Sequence, residues 1–194
     1  MEFIFRLDEA FLLWIQENIR HDWMTPFWKL ITSLGNSGWF WIALAVILLL
    51  FKRTRKAGAA ALLALAIGAL ITNICLKNVV QRIRPYEVIG ELTYLIKKPS
   101  DFSFPSGHSC ASFAAATALI RYLPQCLPEK IGKAVGISAM VLAFLIAFSR
   151  MYLGVHYPTD ILGGILAGVV SALLACRIIR RVYKEDAAPG KMPM

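Results

Sequence analysis

Charge is scarce in this chain. Asp, Glu, Lys and Arg make up 17% of its 194 residues, against roughly 25% in an ordinary soluble domain. Acidic residues are the rarer kind, 12 against 21 basic ones. Cysteine is sparse as well. Cys75, Cys110, Cys126 and Cys176 show no CxxC pairing and mostly lie within apolar stretches, which argues against a disulfide framework and against a cysteine-held metal. There is no repeat at a fixed period and no low-complexity segment. A basic start followed by an apolar run and a small-residue cleavage site is also missing, so the N-terminus is expected to be retained. What the chain has in excess is apolar: 58% hydrophobic residues and a mean hydropathy of +0.60. Disorder, a collagen-like fibre and a small disulfide scaffold are excluded, and a soluble enzyme is disfavoured. The length suits one domain. The net charge of +9 sits at the ends of apolar runs rather than on an aromatic-interleaved polar face, so it points to membrane flanks and not to nucleic acid.

A spanning helix needs ~20 mostly apolar residues, because lipid offers the backbone no hydrogen-bond partners. Residues 57–76 fit best, with no charge. Residues 34–51, 134–149 and 161–176 are also uncharged and reach spanning length with their flanks, and 109–127 is interrupted by Arg121 near its end. The fold class expected is an all-α membrane bundle of five spans. At the N-terminus, Ile4, Leu7, Phe11, Trp14 and Ile15 recur at helical spacing while Arg6, Asp8, Glu9 and Glu17 take other positions, the pattern of a helix lying in the membrane interface. Residues 23–34 leave room for a sixth span, although Lys29 and the shortness of the run count against it.

Lys52, Arg53, Arg55, Lys56, Arg121, Lys130, Lys133, Arg177, Arg180, Arg181, Lys184 and Lys191 fall on one side of this arrangement, against Lys77, Arg82, Arg84, Lys97, Lys98 and Arg150 on the other. The richer side is expected to be cytoplasmic. The single domain, 1–194, therefore reads as an amphipathic N-terminal region (1–33), the bundle, an outer loop carrying functional residues (77–108) and a basic cytoplasmic tail (177–194). Gly132/Gly136 and Gly164/Gly168 are GxxxG spacings that let helices approach closely.

The outer side holds polar residues at span ends. Lys77 and Arg84 are seven apart, so a continued helix would put both cations on one face; as a pair they also suit plain interfacial anchoring. Pro105-Ser106-Gly107-His108 precedes a span. Ser106 suits an N-cap, Gly107 lets another group approach the backbone, and the helix N-terminus is an anion site beside His108. Ser149-Arg150 is followed by His156 and Asp160, with Pro158 suited to the first turn of the last helix. Asp160 can then accept the imidazole Nδ1–H and leave Nε2 as a directed nucleophile or base, at a wet interface. Each cluster has a bland reading as a cap or an anchor. Together they would need unrelated accidents to gather two histidines, an aspartate and cations on one face. Two histidines and an aspartate could also ligate zinc, but no HExxH or DxH spacing occurs and the neighbouring cations would repel a divalent ion. No metal or cofactor is expected.

These three blocks, Lys77-x6-Arg84-Pro85, Pro105-Ser106-Gly107-His108 and Ser149-Arg150-x5-His156-x3-Asp160, resemble the signature of the type 2 phosphatidic acid phosphatases, membrane relatives of the vanadium haloperoxidases. The family usually has six spans, and the short, charged first helix departs from that. The resemblance implies a metal-independent lipid phosphatase in which His156 attacks phosphorus, Asp160 orients it and His108 protonates the leaving oxygen. Lys77, Arg84, Ser106, Gly107 and Arg150 would hold the phosphate. The expected partner is a lipid phosphate or diphosphate, with undecaprenyl diphosphate favoured and phosphatidylglycerol phosphate or phosphatidic acid as alternatives, acted on at the outer face of a bacterial plasma membrane. A transporter would place its ionisable groups nearer the midplane. A non-catalytic phospholipid-binding protein would have no use for a complete His156–Asp160 pair.

Overall fold

A computed structural model describes residues 2–185, and among them every regular element is helical. The order is α1 (Glu2–Asn18), α2 (Thr25–Ser33), α3 (Trp39–Leu50), α4 (Arg55–Ala69), a π-helical segment (Leu70–Leu76) running into α5 (Lys77–Val80), α6 (Pro85–Val88), α7 (Gly107–Cys126), α8 (Glu129–Tyr152) and α9 (Pro158–Glu185). The basic residues Arg177, Arg180 and Arg181 belong to the last turns of α9. The rest of the expected tail, from residue 186, lies outside the described residues.

Three stretches are long and apolar enough to cross a membrane: Arg55–Val88, Glu129–Tyr152 and Pro158–Tyr183. A fourth is a bent pair, Asp22–Ser33 with Asn36–Leu50, meeting at 43°. The break falls at residues 34–35, and just beyond it Ser37 and Gly38 both take positive φ, 51° and 68°. The short run at 23–34 is thus the first limb of a broken helix pair. α7 does not reach the same apolarity, and its position explains why. It packs against α8, α9 and α4 at the centre of the bundle, with Ala114, Ala115, Ala116 and Ala118 fully buried. A helix surrounded by protein needs small residues more than greasy ones.

Both GxxxG pairs are used on α7. A Cβ at Gly164 would stand 2.5 Å from the Ser106 carbonyl oxygen and one at Gly168 2.5 Å from that of Cys110, so α9 lies against the α7 backbone. On the other side, a Cβ at Gly132 or Gly136 would press on the backbone at Leu123 or Ile120. α7 and α9 are thereby locked in register, which fixes the PSGH turn against the first turn of α9.

α1 turns its apolar stripe outward. Phe3, Ile4, Leu7, Phe11 and Trp14 are exposed, while Asp8, Leu12 and Ile15 are buried. Its far end is tied down by Arg20, which donates to the carbonyls of Tyr152 (2.6 Å) and Thr93 (2.7 Å). The long segment between α6 and α7 is held in place too. Leu12, Ile89, Leu92 and Tyr157 form a small apolar cluster beneath it, and Ser103 N–H donates to the Arg82 carbonyl at 2.8 Å.

Gly168→Ala should therefore cost about 1–3 kcal/mol through overpacking and lower the thermal unfolding midpoint in detergent by several degrees. Gly90→Ala, where no atom lies within 4 Å, should leave that midpoint unchanged.

Candidate active site

Four pieces of chain meet at one end of the bundle. Ser106 caps α7, its Oγ accepting from Ser109 N–H at 3.3 Å. The N–H groups of Gly107 and His108 precede that bond, so they have no acceptor within the helix. The Ser106 N–H donates to the Asp160 carbonyl at 3.0 Å, joining the start of α7 to the start of α9. Gly107 sits beside Lys77, whose Nζ would be 3.8 Å from a Cβ at that position. His108 Nε2 lies 3.0 Å from Asn36 Oδ1, and Gly35 leaves the ring its space, since a Cβ there would come within 2.6 Å of His108 Cδ2.

Lys77 and Arg84 are brought together, but not by a continuous helix. Gln81 takes φ 49° and ends α5, and Arg84 is in extended conformation ahead of Pro85. The shared partner is Asp101, which the sequence reading missed. Its carboxylate accepts from Lys77 Nζ and, at 2.6 Å, from Arg84 Nη2, while its carbonyl accepts from Arg84 Nε at 2.8 Å. Burial opposes ionisation of Asp101, but the hydrogen bonds and charges of Lys77 and then Arg84 outweigh it and take the carboxyl down to about 2. No spacing rule links residue 101 to either cation; only the folded loop does.

Arg150 is 3% exposed. One of its Nη atoms donates to Thr32 Oγ1 at 2.7 Å, while its Nε is buried with no partner among the described residues. A buried guanidinium donor left open is costly unless an anion meets it.

His156 is buried, at 2% exposure, and does not stand at a wet interface as the sequence suggested. Ser103 from the long loop and Arg84, just ahead of α6, pack against its ring. Its Nδ1 faces Asp160 Oδ2 at 3.4 Å and its Nε2 faces Arg84 Nη1 at 3.3 Å. Arginine can only donate, so these partners select the tautomer with the proton on Nδ1 and a lone pair on Nε2. Burial first, and then the charges of Arg84 and Arg150, lower the imidazole pKa to about 4 against the pull of Asp160. At neutral pH the ring is uncharged and nucleophilic.

Asp160, fully buried, is held from every side. Oδ2 accepts from Ser103 Oγ at 2.5 Å and from Tyr157 N–H at 2.9 Å, and Oδ1 accepts from Arg82 Nη1 at 2.8 Å. Arg82 also reaches Asp8 Oδ2 at 2.7 Å and lies over the Tyr157 ring at 3.8 Å. Asp8 in turn accepts from the Thr159 N–H at 3.1 Å. Sequence reasoning placed Asp8 on the polar side of an interfacial helix and counted Arg82 as an outer-side charge. Their pairing across 74 residues left no local signal.

A cavity of about 500 Å³ opens among Thr32, Asn36, Lys77, Arg84, Arg150, His108 and His156. A second hollow of about 620 Å³ shares Lys77, Gly107 and His108 and continues between α3, α4 and α7 along Ile42, Leu62, Leu65 and Ala66. A polar seat thus adjoins an apolar groove.

A family profile described as the PAP2 superfamily matches residues 57–184. The chain belongs to this superfamily. The match contains all three blocks, whereas Asp8, Thr32 and Asn36 lie before it. Among solved PAP2 structures, a transmembrane PAP2-type phosphatidylglycerolphosphate phosphatase from Bacillus subtilis superposes with a TM-score of 0.79 at 30% identity, covering 98% of this chain and 90% of that one. LpxE of Aquifex aeolicus gives 0.71 at 26%, covering 87% and 94%. A bacterial vanadium-dependent iodoperoxidase shares the fold, at 0.63 and 20% identity over 88% of this chain and 47% of that one. An undecaprenyl-diphosphatase of Sulfolobus acidocaldarius is 33% identical over 85 residues, which is 44% of this chain and 41% of the relative. With helices apolar enough to span and this kinship, the chain is an integral membrane protein.

The buried neutral His156 generates a pH prediction. Its pKa is about 4 in the folded protein and near 6.5 when free, so between these values the unfolded chain binds more protons. Stability should fall as the pH drops through that window and be fully present above it. In detergent, the unfolding midpoint of the native protein should fall more steeply between roughly pH 6.5 and 4 than that of His156→Asn.

Proposed function

We propose that this PAP2 protein is a membrane lipid phosphatase working through a phosphohistidine. The observation that carries the reading is His156 Nε2, lone pair outward and Nδ1–H on Asp160, facing a cavity that also receives Lys77, Arg84 and Arg150. A phosphoryl group there would have its oxygens met by these cations, by the Gly107 N–H and by Ser106 at the start of α7, and charge at the reacting phosphorus is stabilised mainly by such fixed donors. Nε2 attacks phosphorus, a P–N bond forms and the P–O bond to the lipid breaks. His108 delivers a proton to the departing oxygen, consistent with its place on the cavity wall. Water then attacks the phosphorus, giving its proton to His108 and returning the electron pair to Nε2 as free phosphate leaves. Arginine and lysine charge does the work here that a divalent ion does elsewhere, so the reaction should run without metal.

The apolar groove beside Lys77 and His108 supports a substrate with a hydrocarbon tail. Undecaprenyl diphosphate is the reading we favour, supported by the kinship with the Sulfolobus protein. Phosphatidylglycerol phosphate is the second, favoured by the likeness to the Bacillus structure over nearly the whole chain. We place the site on the extracytoplasmic face of a bacterial plasma membrane, because Lys52, Arg53, Arg55, Lys56, Arg177 and Arg180 gather at the opposite end. We further propose that α7 crosses as the axial helix of a five-span domain, with α1 lying in the interface.

Phosphate release by the purified protein in detergent with EDTA, from undecaprenyl diphosphate, phosphatidylglycerol phosphate and phosphatidic acid, tests this. Release that EDTA spares and His156→Ala reduces by at least a thousandfold is expected; full activity in the variant would sink the phosphohistidine. Asp101 makes a second expectation. Its carboxylate occupies the cations that the phosphate needs, so binding has to displace it. Asp101→Asn should strengthen product inhibition by inorganic phosphate about tenfold, the worth of one charged hydrogen bond. An unchanged inhibition constant would mean that Asp101 does not compete.

A further inference from the structure

At the end of the bundle away from His156, a third cavity, of about 510 Å³, is lined by the first turn of α4 and the C-terminal turns of α7 and α9. Lys56, Arg121, Arg177 and Arg180 converge on it from these three helices, with Gln125 and Tyr183 completing the wall and no carboxylate among the described lining residues. Lys56 Nζ lies over the Tyr183 ring at 4.9 Å from its centre. None of the four cations has a carboxylate within 4.0 Å among the described residues. This differs from the catalytic end, where Lys77, Arg82 and Arg84 all do.

Cations that only anchor a span radiate outward to separate headgroups. Here four exposed cations line one cavity, and their mutual repulsion is relieved when an anion lies among them. About 19 residues of α9 separate Pro158 from Arg177, or roughly 30 Å of helix, so the two cavities sit at opposite membrane faces. One wall of the distal cavity is apolar. Leu173, Cys176 and Ile179 line it, and Leu173 is 47% exposed. A basic pocket between helices at headgroup depth, open to the acyl region, suits a lipid phosphate better than a soluble anion.

We propose that this hollow binds the phosphate-bearing headgroup of an anionic phospholipid in the leaflet opposite the catalytic site, clasping the ends of α4, α7 and α9. The proposal is independent of the phosphatase reading. It is tested by native mass spectrometry of the full chain in detergent, mixed with phosphatidylglycerol or phosphatidylcholine. The wild type should retain phosphatidylglycerol and not phosphatidylcholine. Arg121→Gln and Arg180→Gln, each checked for helix content by circular dichroism, should weaken that retention about tenfold, while His156→Ala should retain lipid as the wild type does. Equal retention by the wild type and both Gln variants would overturn the site. Loss in His156→Ala would also overturn it, by moving the lipid to the catalytic cavity. Complete displacement of the lipid by millimolar inorganic phosphate would replace the lipid assignment with a soluble-anion site.

Discussion

A carboxylate removed from water at the first turn of a helix is tolerable only when each oxygen is met. Asp160 is that carboxylate, and meeting its needs organises the catalytic end. Ser103 must come in from the long loop, Tyr157 N–H from the turn before α9 and Arg82 from beyond the break in α5. Its own carbonyl anchors the Ser106 N–H at the start of α7. What remains of Oδ2 is directed at His156 Nδ1. The orientation of the imidazole is therefore the residue of a larger satisfaction problem, and α1 takes part in it through Asp8 and Arg82.

The second organising constraint is repulsion. Lys77, Arg84 and Arg150 are all buried within one cavity wall, an arrangement that needs counter-charge. Asp101 supplies it for two of them and stands half exposed, at 49%, where it can move away. Among the described residues Arg150 has only the Thr32 hydroxyl. The charge of the site is thus only partly offset, and by a carboxylate on a loop rather than one built into a helix, which leaves its positive potential available to a stronger anion.

Much of this was legible in the sequence because the relevant signals are local. The N-cap of Ser106, the start of α9 at Pro158 and the His156–Asp160 spacing each depend on a few neighbouring residues. The glycine pairs announced close helix approach, and the apolar stripe of α1 announced an exposed apolar face, from which only Ile15 turns inward. The failures have a common cause. Lys77 and Arg84 were joined by assuming that the helix continued, but Gln81 breaks it and Asp101, 24 residues on, does the joining. His156 was placed near water because its cover, Ser103 and Arg84, comes from distant parts of the chain and carries no periodic pattern. Asp8 and Arg82 looked like surface charges, since only tertiary structure shows that they face each other. α7 was a weak span for the reason that makes it central: its surroundings are protein, so its sequence carries little apolar excess.

The connections between elements also imply an order of assembly. α7 and α8 are joined by residues 127–128, so their packing closes a short loop at little entropic cost, and α9 follows through residues 153–157 to pack on α7. The ties of α1 are of another kind. Asp8 meets Arg82 across 74 positions and Thr159 across 151. Contacts so distant in sequence form slowly and late. The three-helix core can be in place while α1 is still undocked, and the support beneath the histidine is then completed by a helix that precedes that core in the chain.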